Sequence, residues 1–297
     1  VGRRSRRIAI SDNRTTAPQW TERIVVALLF GAVGLLIVAV FSPWQPLLSG
    51  LADTLGRASL VAALLAAALL ARRTSQFKRY WQLLYGLFVL AVAVSADWFT
   101  ALALISTHAV NTSTPAGMAL QKLSDGVVIS AVVLLLTRAS GSSLGSIYVQ
   151  KGKLRRSIII GLVTFGVAAV TSMPIAQVMF RAQNLTLARM LPWLPWILIF
   201  VLANATAEEL MFRGLFLRKL EPLFGPFLAN CLIAIVFTGL HATVTYTSDQ
   251  MMFLVALLPL ALAWGYVTQR TDAVWGSILF HAGMDIPIVL GLLSAAA

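Results

Sequence analysis

Three short segments in the last third of the chain combine residue types able to do chemistry: Glu208-Glu209-Leu-Met-Phe-Arg213, Phe237-Thr-Gly-Leu-His241 and His281-Ala-Gly-Met-Asp285. They hold two of the three histidines and the only adjacent pair of glutamates, and each lies in a stretch apolar enough for membrane depth. An ionisable side chain there costs about 2.5–3.5 kcal/mol even on the mildest insertion scale, so their clustering calls for a functional reason. Successive residues of a helix point about 100° apart, whereas residues four apart share a face. Glu209 therefore faces Arg213, which can neutralise it, and Glu208 is left to point elsewhere. A carboxylate with no cationic partner in a low-dielectric cavity can take and return a proton, the task of a general base.

The same one-turn spacing puts Phe237 beside His241 and His281 beside Asp285. The first pair packs. The second reads as an imidazole whose tautomer is set by a hydrogen bond to the acid one turn on. Two histidines and a glutamate also make a familiar zinc set with a fourth position open for water, so Glu208, His241 and His281 are the metal-ligating candidates. The His-Glu-x-x-His helix of common zinc proteases is absent, and a glutamate can serve as base with no metal at all. Zinc is thus an expected cofactor that the glutamate does not strictly require.

Such segments need helices to hold them in lipid. Hydrophobic residues make up 59% of the 297 positions and charged ones 11%, with a mean hydropathy of +0.84, outside the range of ordinary soluble domains. The expected fold is all-α, a polytopic transmembrane helix bundle of about eight or nine spans around a polar catalytic cavity. Apolar runs at 24–41, 81–105, 157–180, 190–206, 251–267 and 274–297 approach or exceed the roughly 20 residues that cross a bilayer as helix. Those at 60–71, 127–137 and 227–242 are shorter and borrow flanking residues. With the N-terminus in the cytoplasm, all but Arg57, Lys122, Arg181 and Arg189 of the 23 Lys and Arg fall on the cytoplasmic side, as the preference of basic loops for that side requires. The net charge of +12 then reads as topology signal and attraction for anionic lipid; the expected partners include the lipid bilayer and no nucleic acid. The Ala/Leu/Arg-rich usage points to a bacterial cytoplasmic membrane.

A cleaved signal peptide is not expected, because the first apolar run is too long and no small-x-small site follows it. Ser5-Arg6-Arg7 resembles a twin-arginine signal, but the polar stretch 9–22 separates it from the apolar run. Residues 1–23 read as a basic cytoplasmic tail and 24–137 as a four-helix membrane region. In that region Asp97 and Asp125 lie near span ends, and His108 lies in a polar outer loop. Residues 138–156 form a basic cytoplasmic loop, and 157–297 a membrane-embedded unit with the candidate site. Gly141-Ser-Ser-Leu-Gly145 has the outline of a serine-nucleophile motif without its strand-to-helix context, and reads as part of a flexible linker. The single Cys231 reads as core filler.

Taken in order, Glu-Glu-x-x-x-Arg, Phe-x-x-x-His and His-x-x-x-Asp resemble the CPBP (Abi-like) family of intramembrane endopeptidases, which includes CAAX prenyl proteases and bacteriocin-processing or immunity proteins. The resemblance covers about 191–292, a third of the chain, with the first four helices outside it. It implies that Glu208 activates the hydrolytic water, that His241 helps hold that water or a metal, and that Glu209 with Arg213 is a structural pair. It further implies that His281 and position 285 stabilise the oxyanion of the tetrahedral intermediate. Many members have Asn where this chain has Asp285. An ionised Asp would repel an oxyanion, so Asp285 is protonated, orients His281 or helps bind a cation.

The resemblance implies a protease of membrane-tethered or hydrophobic peptide segments. Two other classes stay open at this point: a non-catalytic membrane scaffold or immunity protein with the same fold, and a proton-coupled transporter, since Glu and His inside helices also build proton relays. A simple span count poses a geometric difficulty. It puts Glu208 and His281 near the cytoplasmic side but His241 about 22 Å into its helix. Gly214, Gly225 and Pro226 offer places for the chain to dip. The expected result is a cavity open to the cytoplasm, with the Glu208 helix kinked near Pro192 and Pro195.

Overall fold

Apolar runs placed in lipid must satisfy their backbone hydrogen bonds internally, and helices do this within a single segment. In the computed structural model, which describes residues 19–42, 46–244 and 246–296, every regular element is helical. The helices are α1 (Trp20–Leu35), α2 (Gly50–Arg73), α3 (Trp81–Ser106), α4 (Pro115–Ala139), α5 (Leu154–Met179), α6 (Leu187–Met190), α7 (Leu194–Glu209), α8 (Arg218–Leu240), α9 (Gln250–Thr271) and α10 (Trp275–Ala296). Several starts are capped by side-chain oxygens: Thr114 accepts from Gly117 N, Thr186 from Arg189 N and Asp249 from Met252 N, each satisfying an otherwise orphaned donor. Eight helices among the described residues are long and apolar enough to cross a membrane. The basic tail expected at 1–23, with its twin-arginine-like segment, lies outside the described residues as far as residue 18.

The longest of the eight, Leu187–Leu240, joins two runs read from the sequence as separate spans. It passes through a widened, π-helical stretch at Leu210–Leu217, all eight residues of which are buried. Its backbone leaves helical geometry at Gly225 (φ 77°, ψ 163°), a conformation that favours a residue without Cβ, and Pro226 follows. The chain reverses there, as the ring of Phe212 packed on that of Phe237 shows (centroids 5.0 Å). Glu208 lies 17 residues before Gly225 and His241 16 after it, arms of about 25 and 24 Å at 1.5 Å per residue. Equal arms put both side chains at one depth, which removes the difficulty of the simple span count. Pro192 and Pro195 lie in a short 3₁₀ turn and the first turn of α7, so they start helix rather than kink it.

Contacts between loops define two ends of the bundle. At one, Arg79 and Tyr80 engage Glu22, Lys153 N donates to Thr271 O at 2.7 Å, Gln150 Nε2 donates to Asp272 O at 2.9 Å, and Arg218 pairs with Asp272. At the other, Arg181 Nε donates to Ser248 Oγ at 2.7 Å. The first end carries most of the basic loops. Its 138–156 segment is not the flexible linker expected, because Ile147 and Tyr148 are buried and Tyr148 Oη donates to Glu221 Oε1 at 2.9 Å. Burial, reinforced by the neighbouring Glu221 carboxylate, pushes the Tyr148 phenol above its ordinary range and keeps it a donor.

Helices α5 and α10 run side by side at close range. A Cβ on Gly283 would meet Phe165 Cα at 2.8 Å and Ala168 Cβ at 3.1 Å, and one on Gly161 would meet Leu279 Cβ at 2.7 Å. Small residues permit such backbone approach where dispersion and packing hold helices together in lipid. Gly283→Leu is therefore expected to destabilise by about 1–3 kcal/mol through overpacking. Gly166→Leu, whose Cβ meets nothing within 4 Å, should leave the melting temperature unchanged. Thermal unfolding of both variants in detergent checks this pair.

Candidate active site

Glu209 and Arg213, one turn apart, are both fully buried. Arg213 Nη1 donates to Glu209 Oε1 at 2.8 Å, and Nη2 donates to Ala261 O of α9 at 3.0 Å. The guanidinium lies over the rings of Phe237 (4.6 Å) and Trp264 (5.2 Å), which replace part of its hydration with π-electron density. The same Glu209 oxygen accepts from His281 Nδ1 at 2.9 Å, and the indole of Trp264 stacks on the His281 ring (3.9 Å, 11°). One carboxylate oxygen and one indole thus fix the plane of His281 and commit its Nδ1 as a donor.

The other nitrogen, His281 Nε2, stands 3.5 Å from Glu208 Oε2 and 3.6 Å from Asp285 Oδ1. The one-turn spacing led us to expect the tautomer-setting hydrogen bond to come from Asp285. It comes from Glu209, 72 residues away in sequence, and Asp285 keeps only an ion-pair distance. Asp285 Oδ2 instead accepts from Asn204 Nδ2 at 3.0 Å. His241 Nδ1 donates to Phe237 O at 2.8 Å, so its Nε2 bears the lone pair. Gln250 Nε2, donating to His241 O and Val244 O at 2.8 and 2.9 Å, ties the start of α9 to the turn after His241.

Glu208, His241, His281 and Asp285 line one cavity of about 30 Å³, room for one or two waters. Glu208 Oε2 is buried there and makes no hydrogen bond to a described residue. Arg213, Phe237 and Trp264, each at most 1% exposed, close the side facing the basic end. From Glu208 and His281 the lining continues through Asn204 and Asp285 to Tyr246, in the turn between α8 and α9 at the opposite end. The cavity therefore runs away from the basic loops, contrary to the expected opening on that side. Among the described residues no group of three or more His, Cys, Asp or Glu side chains is spaced to hold a metal ion as the side chains stand.

Three polar lining residues were not singled out from the sequence as site residues. Asn204 is a polar residue one turn before Glu208 in an otherwise apolar run, a signal that was available. Tyr246 lies in a turn whose position over the cavity only the tertiary fold sets. Lys122 comes from α4, in the region read as poor in chemistry. Its Nζ lies 3.5 Å from Asp125 Oδ2 and 5.9 Å from the centre of the Phe200 ring. It reaches the cavity because Gly126 lets α4 approach α7, a Cβ there meeting Ala203 O at 2.9 Å.

Residues 190–287 match the family model described as Type II CAAX prenyl endopeptidase Rce1-like, in agreement with the resemblance carried by the three motifs. The match takes in Glu208, Glu209, Arg213, His241, His281 and Asp285, and leaves α1–α5 outside. Over this third of the chain the protein is similar to intramembrane endopeptidases of the CAAX type. No curated protein and no solved structure matches the chain.

Removing Arg213 would strand the Glu209 charge in a fully buried site. Arg213→Met is expected to cost about 3–5 kcal/mol, whereas the double replacement Glu209→Leu with Arg213→Met should recover most of that loss. Thermal unfolding of the two variants beside the wild type measures the difference.

Proposed function

We propose that the chain is a glutamate-dependent intramembrane endopeptidase that hydrolyses peptide bonds of hydrophobic or membrane-tethered segments. Glu208 is the general base: its carboxylate takes a proton from a water in the cavity as the water oxygen bonds to the scissile carbonyl carbon. The negative charge that develops on the carbonyl oxygen is met by the N–H of protonated His281 Nε2, a donor already oriented by Glu209 and Trp264. Asn204 holds Asp285 to one side, so this carboxylate positions and balances His281. His241 Nε2 accepts a hydrogen bond from the water and aims it. The proton taken by Glu208 then passes to the departing amine as the carbon–nitrogen bond breaks, which returns Glu208 to its starting state.

The observation that carries this reading is Glu208 lining a water-sized cavity together with His241 and His281, its buried Oε2 3.5 Å from His281 Nε2. The family match at 190–287 supports the class of reaction. No step here passes through a metal.

Purified protein in detergent, given a library of membrane-tethered peptides, should release fragments detectable by mass spectrometry. Glu208→Gln is expected to lower the rate by about 10²–10⁴-fold with the melting temperature unchanged, and His241→Ala should also lower it. Chelator should leave the wild-type rate intact; a loss restored by zinc would hand the activation of water to a metal instead. A well-folded wild type that cleaves nothing overturns the proposal. Asp285→Asn keeps an acceptor for Asn204 and is expected to retain activity within about tenfold, whereas Asp285→Ala should fall further; steady-state rates of the two variants decide this.

A further inference from the structure

At the basic end, on the arm that carries Glu208, the Nζ of Lys219 is shielded from solvent and makes no hydrogen bond to a described residue. The charged group acting on it is Arg218, of the same sign. Arg218 is itself engaged by Asp272 and by the ring of Tyr148. Ser146 Oγ is likewise buried and makes no hydrogen bond to a described residue. Lys219 and Ser146 line one narrow cleft among α3, α4 and the 138–156 segment, of about 10 Å³ on the scale that gives the catalytic cavity 30 Å³, with an open mouth. The hydroxyls of Ser140 and Ser142 and the indole of Trp81 also line it, and Arg72 lies over the Trp81 ring at 5.0 Å.

An ammonium group buried without an acceptor costs several kcal/mol, and a buried hydroxyl without a partner adds to that. Both costs vanish if an oxygen of an oxygen-rich anion seated in the cleft reaches Lys219 Nζ and Ser146 Oγ, with the rest of the group in the mouth. Basic pockets between helices, at the end of a bundle where the Lys and Arg gather, lie at the level of lipid headgroups and attract anionic ones. We propose that this cleft binds a phosphate group, that of an anionic phospholipid headgroup, with Lys219 as the charged ligand and Ser146 as the hydroxyl ligand. The site is separate from the catalytic cavity and does not depend on the protease reading. Its occupant would clamp the 138–156 segment onto the arm that carries Glu208.

The test is thermal unfolding of the delipidated full chain in a non-ionic detergent with added dioleoylphosphatidylglycerol, inorganic phosphate or dioleoylglycerol. The expected result is a saturable rise of about 3 °C or more with phosphatidylglycerol and none with dioleoylglycerol. Lys219→Met should weaken the apparent affinity about tenfold or more and Lys219→Arg should keep it, because the charge-assisted hydrogen bond is the main attraction. Without lipid, Lys219→Met should melt no lower than wild type, since it removes an ammonium that has no acceptor. Should Lys219→Met not fold, Ser146→Ala, expected to weaken the response while melting no lower than wild type without lipid, carries the same test. An equal, Lys219-dependent rise with inorganic phosphate alone would support the phosphate site and make its source the free ion. Equal rises in wild type and Lys219→Met, or no rise with either phosphate compound, would overturn the proposal and leave water as the partner of Lys219.

Discussion

Glu209 gives a single oxygen to two partners, accepting from Arg213 and from His281 while wholly enclosed by protein. Through it four helices are joined. The carboxylate comes from α7, the imidazole from α10, and the guanidinium continues to the backbone of α9 and the Phe237 ring of α8. In a bilayer core such charges are tolerable only when paired and hydrogen-bonded, so the arrangement is close to all-or-none. What it secures is orientation. With Nδ1 committed to Glu209, His281 can turn only Nε2 toward Glu208 and Asp285.

The second constraint is the reversal at Gly225, halfway between Glu208 and His241. An unbroken helix over that interval would hold the two residues about 50 Å apart. The backbone conformation at one residue turns that separation into a shared cavity wall. The widened stretch at Leu210–Leu217 shifts the angular phase of the residues beyond Glu209, and helices with such widened turns are frequent at functional sites. Its eight buried residues pack Phe212 and Arg213 against the returning arm.

Spacing within a helix was enough to pair Glu209 with Arg213 and Phe237 with His241, because both are contacts between neighbouring turns. Hydropathy was enough for the helices themselves. It misled at 213–224, where Arg213, Arg218, Lys219 and Glu221 look like a surface loop between spans. In the folded chain they are helical, and all but Lys219 are engaged from outside their own segment: Arg213 by Ala261, Arg218 by Asp272, and Glu221 by Tyr148 and Gln269. The partner of His281 was misread for a related reason, since the i+4 rule sees Asp285 while a tertiary contact brings Glu209 closer. Lys122 belongs to the cavity only because Gly126 lets α4 and α7 come together, and a list of motifs cannot show a helix crossing. The agreement with the endopeptidase family, confined to about a third of the chain, covers the residues whose spacing was legible and leaves out Lys122.

A cavity that admits one or two waters holds the reagent but has no place for a peptide. Under the proposed function the resting molecule is latent. Glu208 is enclosed, and the other helices that share the membrane cannot reach it merely by colliding with the bundle. Selection then lies in the opening. The contacts of Gln250 with His241 O and Val244 O and of Arg181 with Ser248 Oγ have to yield before a chain can enter, so a segment already unwound has the advantage over one that stays helical. Discrimination of this kind depends on the mechanical pliability of the substrate more than on its side chains.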